Sequence, residues 1–153
     1  MQPIPSVSEL RDDANLALLI RQVREGLLRQ LERDLAAIGI ELNHSQYLVL
    51  KILAKYGVQT PGELARWLDH NAGAMTRLLD RLEDKGYVRR HPHAVDRRAL
   101  RIELTQAGQA LWTTISKCSE RTQNAALHEL NKAERETLLD LLKRVRETLE
   151  KSP

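Results

Sequence analysis

The clearest hydrophobic pattern lies near the middle of the chain. Met75, Leu78, Leu79 and Leu82 recur at i, i+3, i+4 and i+7, which places four apolar side chains on one face of a helix. The opposite face is polar and charged, and residues 72–74 at its start are Ala-Gly-Ala. The pattern predicts a short helix from about residue 71 to 85. Its first turn is small enough to approach another surface closely, as in a DNA groove.

A second short helix is predicted immediately before it. Thr60 and Glu63 have the spacing of a capping box, and Pro61 lies at the first helical position, where no backbone N–H is needed. This helix is predicted to run to about Leu68. Residues 69–71 then form a tight turn, with Asn71 as the N-cap of the next helix. Two short helices joined in this way are typical of a helix-turn-helix, whose second helix enters the major groove.

The period of the pattern changes from 3.6 to 2 after Gly86, a residue type favoured at helix ends. Val88 alternates with Arg89, and the run 100–104 alternates apolar with charged residues, so both read as half-buried strands of one hairpin. The polar residues 91–98 between them predict a wing that lies along the DNA backbone or inserts an arginine into the minor groove.

Longer amphipathic helices flank this central region. They are predicted at about residues 13–38, from the capping residues 43–46 to Gly57, at about 106–130, and at about 132–151. The first and the last two carry apolar stripes too extensive to be buried on a unit as small as 43–104. We therefore expect these helices to pack on one another and on a second copy of the chain.

The predicted fold class is mainly α (α+β), a winged helix-turn-helix with long N- and C-terminal dimerisation helices. We divide the chain into residues 1–42 (N-terminal tail and first dimerisation helix), 43–104 (DNA-binding domain) and 105–153 (C-terminal dimerisation helices). A monomeric helical bundle with one DNA-reading module is the alternative architecture.

The central region resembles the multiple-antibiotic-resistance-regulator (MarR) family. The resemblance rests on the run from Leu78 to Arg90, on Asp96-Arg97-Arg98 in the wing, and on the Leu-Thr-x-x-Gly of residues 104–108. The order and spacing of these parts are specific, whereas the rest of the chain matches in helix layout only. The resemblance implies a homodimeric transcriptional regulator whose terminal helices interlock. We expect a repressor, with an activator as the alternative.

Charge and composition agree with a DNA partner. The net charge is only +3 over 153 residues, but residues 66–101 contain nine basic and five acidic residues, a net charge of +4. Phe is absent, so the core must be aliphatic, which favours helices. No long apolar run or export signal is present and there is one cysteine, so a cytoplasmic protein without a membrane segment is expected.

Candidate DNA contacts follow from the predicted geometry. Arg77 is expected to bind a guanine edge, supported by phosphate or methyl contacts from Asn71, Ala74 and Thr76. Arg81 lies one turn further along, where it contacts a phosphate or pairs with Asp80 or Asp84. The set is completed by three wing residues, of which Arg98 contacts the backbone or minor groove, Asp96 holds the loop, and Arg97 is more exposed. Two such helices related by a twofold axis predict an inverted-repeat operator.

The resemblance also implies an effector, because small aromatic acids and other lipophilic compounds bind relatives near the join between the dimerisation helices and the DNA-binding lobe. Pro61, Thr76 and Arg90 match family positions near such a site, and Arg90 can pair with a carboxylate. His44, Tyr47 and Trp112 are candidates for its walls; the alternative is that Tyr47 and Trp112 are core or interface residues.

Other inputs and classes are less well supported. Cys118 lies within an apolar stripe, with Lys117 as its only expected cationic neighbour, which favours an inert buried thiol over a redox switch. The histidines form no i, i+4 pair, and no metal or cofactor is predicted. No catalytic motif is found, so an enzyme is not expected. The main competing function is a winged helix that docks proteins without sequence-specific DNA binding.

Overall fold

The computed structural model describes residues 15–92, 95 and 99–151. Over these residues the chain forms six helices and one two-stranded antiparallel sheet. In chain order the elements are α1 (Leu16–Ala36), α2 (His44–Tyr56), α3 (Pro61–Leu68), α4 (Ala72–Asp84), β1 (Val88–Pro92), β2 (Leu100–Leu104), α5 (Gln106–Ala126) and α6 (Lys132–Glu150). The predicted fold class is confirmed, although α1 and α5 are shorter than predicted.

Every described helix begins after a side chain that accepts a hydrogen bond from the free N–H groups of its first turn. These N-cap residues are Asn15, Asn43, Thr60, Asn71, Thr105 and Asn131. Such a cap typically stabilises a helix by about 1 kcal/mol. The predicted capping boxes at Asn43 and Thr60 are confirmed. A third box, between Asn131 and Glu134, was not predicted although its sequence pattern is the same.

The helix-turn-helix and the hairpin share one aliphatic core. All four apolar residues predicted on one face of α4 are buried, and Val49, Leu50 and Leu53 of α2 and Leu64 of α3 pack with them. The chain turns from α3 to α4 through Asp69, which has a φ of 53°. Gln59, just before α3, exchanges backbone hydrogen bonds with Ile102 of β2. This single-residue bridge pairs with the hairpin as a third strand would, and it was not predicted.

The Leu-Thr-x-x-Gly motif joins the hairpin to α5. Thr105 caps α5 through the N–H of Gly108, donates its hydroxyl to the Gly86 carbonyl, and donates its backbone N–H to the Tyr87 carbonyl at 3.1 Å. Gly108 lies directly against the same carbonyl, so that a Cβ at this position would stand 2.0 Å from Tyr87 O. Only glycine permits this approach. The motif therefore fixes the first turn of α5 on the peptide that links α4 to β1.

Helix α1 is held on α5 by a small apolar contact and one polar bond. Leu31 and Leu35 are its buried residues, and Asp34 accepts a 2.8 Å hydrogen bond from the hydroxyl of Thr122 on α5, which is 4% exposed. This bond lowers the pKa of Asp34, helped by a hydrogen bond from Gln30. The attachment of α1 thus depends on its C-terminal half.

The remaining apolar stripes of α1 and α6 are uncovered in the single chain. Leu16, Leu19, Ile20 and Val23 are 43–59% exposed, and α6 has no buried residue at all. Among its leucines, Leu142 is 40% exposed. An apolar surface of this extent on a folded chain is typical of an interaction site.

Gly108→Ala is expected to destabilise the protein by about 3 kcal/mol, because the new methyl group meets a backbone carbonyl that cannot rotate away. Gly26→Ala is the matched control, since a Cβ on this glycine of α1 meets no atom within 4 Å. That control should stabilise the protein by up to about 1 kcal/mol. Urea unfolding of both variants checks the prediction, and an unchanged midpoint for Gly108→Ala would contradict it.

Thr122→Val is expected to reduce the pH dependence of stability. The pKa of folded Asp34 is lowered chiefly by Thr122, so this carboxylate stabilises the fold above its unfolded pKa of about 4, and the contribution is lost as the pH falls. The variant should therefore be less stable than wild type near neutral pH, with the difference shrinking in acid. Unfolding by urea across this pH range measures the effect.

Thr113→Val is the control for that comparison. Thr113 lies on the same helix but is exposed, and its hydroxyl bonds the Gln109 carbonyl of its own helix. It should leave the pH profile unchanged. A Thr122→Val profile parallel to wild type would show that the bond to Asp34 does not influence stability.

Candidate nucleic-acid interface

The first turn of α4 is small and exposed, as predicted. Asn71 caps it by accepting the Ala74 N–H at 2.8 Å, and residues 72 and 73 are exposed. A Cβ on Gly73 would lie 3.6 Å from Nη1 of Arg77, so the guanidinium lies back along the start of its own helix. The arrangement leaves room for a close approach at this end of α4 and places a cation there.

The exposed face of α4 carries two arginines without acidic partners. Neither Arg77 nor Arg81 forms an ion pair within 4 Å among the described residues. Thr76, which is also exposed, donates its hydroxyl to the Ala72 carbonyl at 2.9 Å. The intramolecular pairing predicted as one option for Arg81 is absent here.

Two of the three acids of α4 are bound by a residue of the hairpin. Arg90 on β1 donates to Asp80 at 2.7 Å and to Glu83 at 3.1 Å, and it also reaches the Thr76 carbonyl at 3.3 Å. Arg90 therefore compensates one of the two negative charges of Asp80 and Glu83, whereas Arg77 and Arg81 have no acidic partner in the part of the chain that the structure describes. The predicted pairing of Arg90 with a ligand carboxylate consequently has two intramolecular competitors.

The hairpin has the predicted strands, with Val88 opposite Leu104 and Pro92 opposite Leu100. Arg89 and His91 flank Glu103 on the neighbouring strand, and the pKa of Glu103 is lowered chiefly by its hydrogen bond from Arg89. The predicted wing contacts Asp96, Arg97 and Arg98 lie outside the described residues, so their roles stay predictions.

Pro61 lies at the first position of α3, next to a tightly bonded cap. The backbone N–H of Thr60 donates to Glu63 at 2.7 Å, which is the main cause of the lowered pKa of Glu63. The carboxylate of Glu63 is therefore engaged by the cap at the start of α3.

The candidate effector residues fall into two groups. His44, Tyr47 and Trp112 come together: the Tyr47 ring centroid lies 6.3 Å from that of His44 and 5.8 Å from that of Trp112. Thr76 and Arg90 contact each other on α4 and β1, and neither they nor Pro61 line the grooves beside Tyr47. The predicted ligand residues therefore do not form one site.

Two grooves open beside Tyr47. One, of about 420 Å³, is lined by Trp112, Lys51 and Arg135, and the other, of about 580 Å³, by His44 and the exposed leucines of α1 and α6. Burial is the main cause of the lowered pKa of His44, and the nearby Arg24 adds to it. Lys51 and Arg135 were not predicted as lining residues, since a cation on an amphipathic helix gives no signal that distinguishes a groove from solvent.

An exposed aromatic pair was also missed. Tyr56 and Trp67 are 49% and 56% exposed, and their rings stack with centroids 5.3 Å apart, with Lys55 over the tyrosine. They lie on α2 and α3. Spacing within each helix carries no signal that rings on two different helices stack.

Cys118 is buried, as predicted, at 1% exposure. The expectation that it lacks a cationic neighbour other than Lys117 is wrong, because Nη2 of Arg121 lies 3.1 Å from its sulfur. Arg121 follows one helical turn later on α5, a spacing that places both side chains on the same face.

Residues 42–100 match the model of the MarR family. The chain is 31% identical over 144 residues to an uncharacterised HTH-type transcriptional regulator of Mycobacterium leprae, covering 94% of this chain and 99% of that protein. It is 34% identical over 117 residues to the multiple antibiotic resistance protein MarR of Salmonella typhimurium, covering 76% of this chain and 78% of that protein.

The fold is similar to solved structures of MarR from E. coli. Apo wild-type MarR superposes with a TM-score of 0.75 at 31% identity, covering 95% of this chain and 98% of that one. A mutant MarR complexed with operator DNA superposes with a TM-score of 0.73 at 30% identity, covering 92% of this chain and 99% of that one.

Within the described residues, no helix is both long and apolar enough to cross a membrane.

Proposed function

Because the chain belongs to the MarR family of transcriptional regulators, we propose that it acts as a homodimer that binds an inverted-repeat operator in double-stranded DNA and represses transcription there. The observation that carries this proposal is the exposed face of α4. Arg77 and Arg81 have no acidic partner among the described residues, while Asp80 and Glu83, two of the three acids of α4, are bound by Arg90. Such a face complements the phosphates and base edges of a major groove.

Dimerisation is supported by the uncovered apolar stripes of α1 and α6. One groove is lined by leucines of both helices, Leu16 and Leu19 of α1 and Leu138 and Leu142 of α6. A second copy of the same helices offers an equally apolar surface to fill it. A twofold axis through these helices places one DNA-binding lobe on each side. Half-sites about 34 Å apart, one turn of B-DNA, then fit two recognition helices in successive major grooves.

The residues have distinct roles in this proposal. Arg77 reads a guanine through two hydrogen bonds, and the methyl groups of Thr76 and Ala74 make apolar contacts beside it. The amide of Asn71 and the guanidinium of Arg81 bind phosphates. The wing contributes Arg98 to the backbone or minor groove, with Asp96 and Arg97 supporting it. The DNA-bound MarR neighbour is consistent with this use of the fold.

An effector site is proposed in the groove of about 420 Å³ beside Tyr47, apart from the groove that the second copy fills. Trp112 supplies an apolar wall and Lys51 a cation, while His44 stacks on the Tyr47 ring. This groove is lined by α2, α5 and α6, so a small aromatic acid or lipophilic compound bound there contacts both the dimerisation helices and the DNA-binding lobe. Its binding changes the separation of the two lobes and releases the operator. Thr76 and Arg90, which contact each other, are the second, less favoured location, and Pro61 stays a candidate from the family resemblance alone.

Arg77→Ala and Arg98→Ala are expected to weaken DNA binding in different ways. Loss of the guanine contact should cost about 1–3 kcal/mol on the preferred operator and relax base preference. Loss of the wing contact should weaken binding to all sequences about evenly and reduce the salt slope by about one ion. Selection from a random DNA pool, followed by titrations at several salt concentrations, measures both effects.

Lys132→Ala is the charge-matched control for these titrations, because Lys132 is exposed at the start of α6. It should bind the operator as wild type does. A protein that captures no palindromic sequence and shows no steep salt dependence would instead support the protein-docking function.

Leu142→Asp is expected to produce monomers, because it places a charge in the apolar groove between α1 and α6. Trp67→Gln is the control, since Trp67 is exposed on the DNA-binding lobe. Sedimentation equilibrium at micromolar concentration should give two subunits for wild type and control and one for Leu142→Asp. A wild-type protein that sediments as a single subunit would exclude the dimer.

A further inference from the structure

Arg90 connects two elements that both face the proposed DNA site. Its side chain is 20% exposed. Its guanidinium bonds three groups on successive turns of α4: the Thr76 carbonyl, the Asp80 carboxylate and the Glu83 carboxylate. Its backbone N–H donates to the other oxygen of Glu83 at 3.0 Å. Glu83 thus holds both the backbone and the side chain of Arg90, and we name this group of four residues the Arg90 clasp.

The positions of these partners give the clasp its geometric meaning. Thr76, Asp80 and Glu83 lie at i, i+4 and i+7, so they form one line along α4. A planar guanidinium that bonds groups along this line fixes both its own orientation and the distance of β1 from the helix. Lysine has no comparable fork of donors. The clasp therefore restricts the angle between the hairpin and α4.

The energetics favour a role in orientation over one in global stability. Asp80 and Glu83 are 52% and 41% exposed, and ion pairs at such exposure contribute little to the free energy of unfolding. The hairpin is already attached to the core by the buried Val88 and Ile102. These apolar contacts do not determine the angle between the hairpin and α4. The directional hydrogen bonds of Arg90 can set that angle.

We propose that Arg90 is a positioning residue for DNA binding: by clasping Asp80 and Glu83 it holds the hairpin at the angle at which α4 and the wing grip the same duplex. This inference rests on the proposed function. It also explains why Asp80 and Glu83 are tolerated on a helix that faces phosphates, since both carboxylates bind Arg90. A carboxylate ligand at this location would have to displace Asp80 and Glu83 from Arg90, and these three side chains together already carry a net charge of −1.

The test compares two footprints on the selected operator. Protection of guanine N7 from dimethyl sulfate reports the helix in the major groove, and protection from hydroxyl radicals reports the hairpin at the adjacent minor groove. Arg90→Gln is expected to keep the guanine protection, to lose the minor-groove protection, and to bind about tenfold more weakly with a smaller salt slope. Its thermal unfolding midpoint should stay close to that of wild type.

Arg89→Gln is the matched control. Arg89 precedes Arg90 on the same strand, and its guanidinium pairs with Glu103 inside the hairpin rather than with α4. It should keep both footprints. The exchanged pair Arg90→Glu with Glu83→Arg restores an ion pair in the opposite sense and should recover part of the minor-groove protection that Arg90→Gln loses.

The outcomes separate the two levels of the proposal. If wild type binds the operator and Arg90→Gln keeps both footprints and full affinity, the clasp does not position the hairpin and the inference is overturned. The same conclusion follows if Arg90→Gln loses both footprints together with its thermal stability and the exchanged pair recovers neither. If wild type gives no footprint on any DNA, the proposed function fails, and the inference fails with it.

Discussion

The contact between Gly108 and the Tyr87 carbonyl is the constraint on which the architecture depends. It seats the first turn of α5 against the peptide that connects α4 to β1, and Thr105 bonds the two carbonyls on either side of this junction. Three elements are thereby fixed at one point: the recognition helix, the hairpin and the long helix on which α1 packs. A displacement of α5 is transmitted to the DNA-binding lobe through this junction, because a backbone contact of this closeness allows little sliding.

The electrostatics of the lobe follow from a division of the charged residues between its elements. Helix α4 carries both arginines and acids, which without further contacts would nearly cancel. Arg90 reduces this cancellation, because it adds a positive charge from the hairpin beside Asp80 and Glu83. The field near Arg77 and Arg81 is then more positive than the sequence composition of α4 indicates. A protein of small net charge can present a strongly basic surface in this way.

Features that depend on neighbouring positions along the chain were predictable, and those that join distant positions were not. The caps at Asn43, Thr60 and Asn71 and the apolar face of α4 follow from spacings of three or four residues. The bond between Asp34 and Thr122 joins residues 88 positions apart, and the bridge from Gln59 to Ile102 required the packing of α2 on the hairpin. The roles of the wing arginines rest on sequence alone, because Arg97 and Arg98 lie outside the described residues.

The two tryptophans divide between the two functional halves of the chain. Trp67 stacks on Tyr56 at the surface of the DNA-binding lobe, whereas Trp112 is half-buried on α5 beside Tyr47 and the grooves. Emission from Trp67 is accordingly more accessible to aqueous quenchers such as iodide than emission from the half-buried Trp112. The native chain therefore carries a separate optical probe in each half, and quenching resolves which of them senses an added molecule without any label being attached.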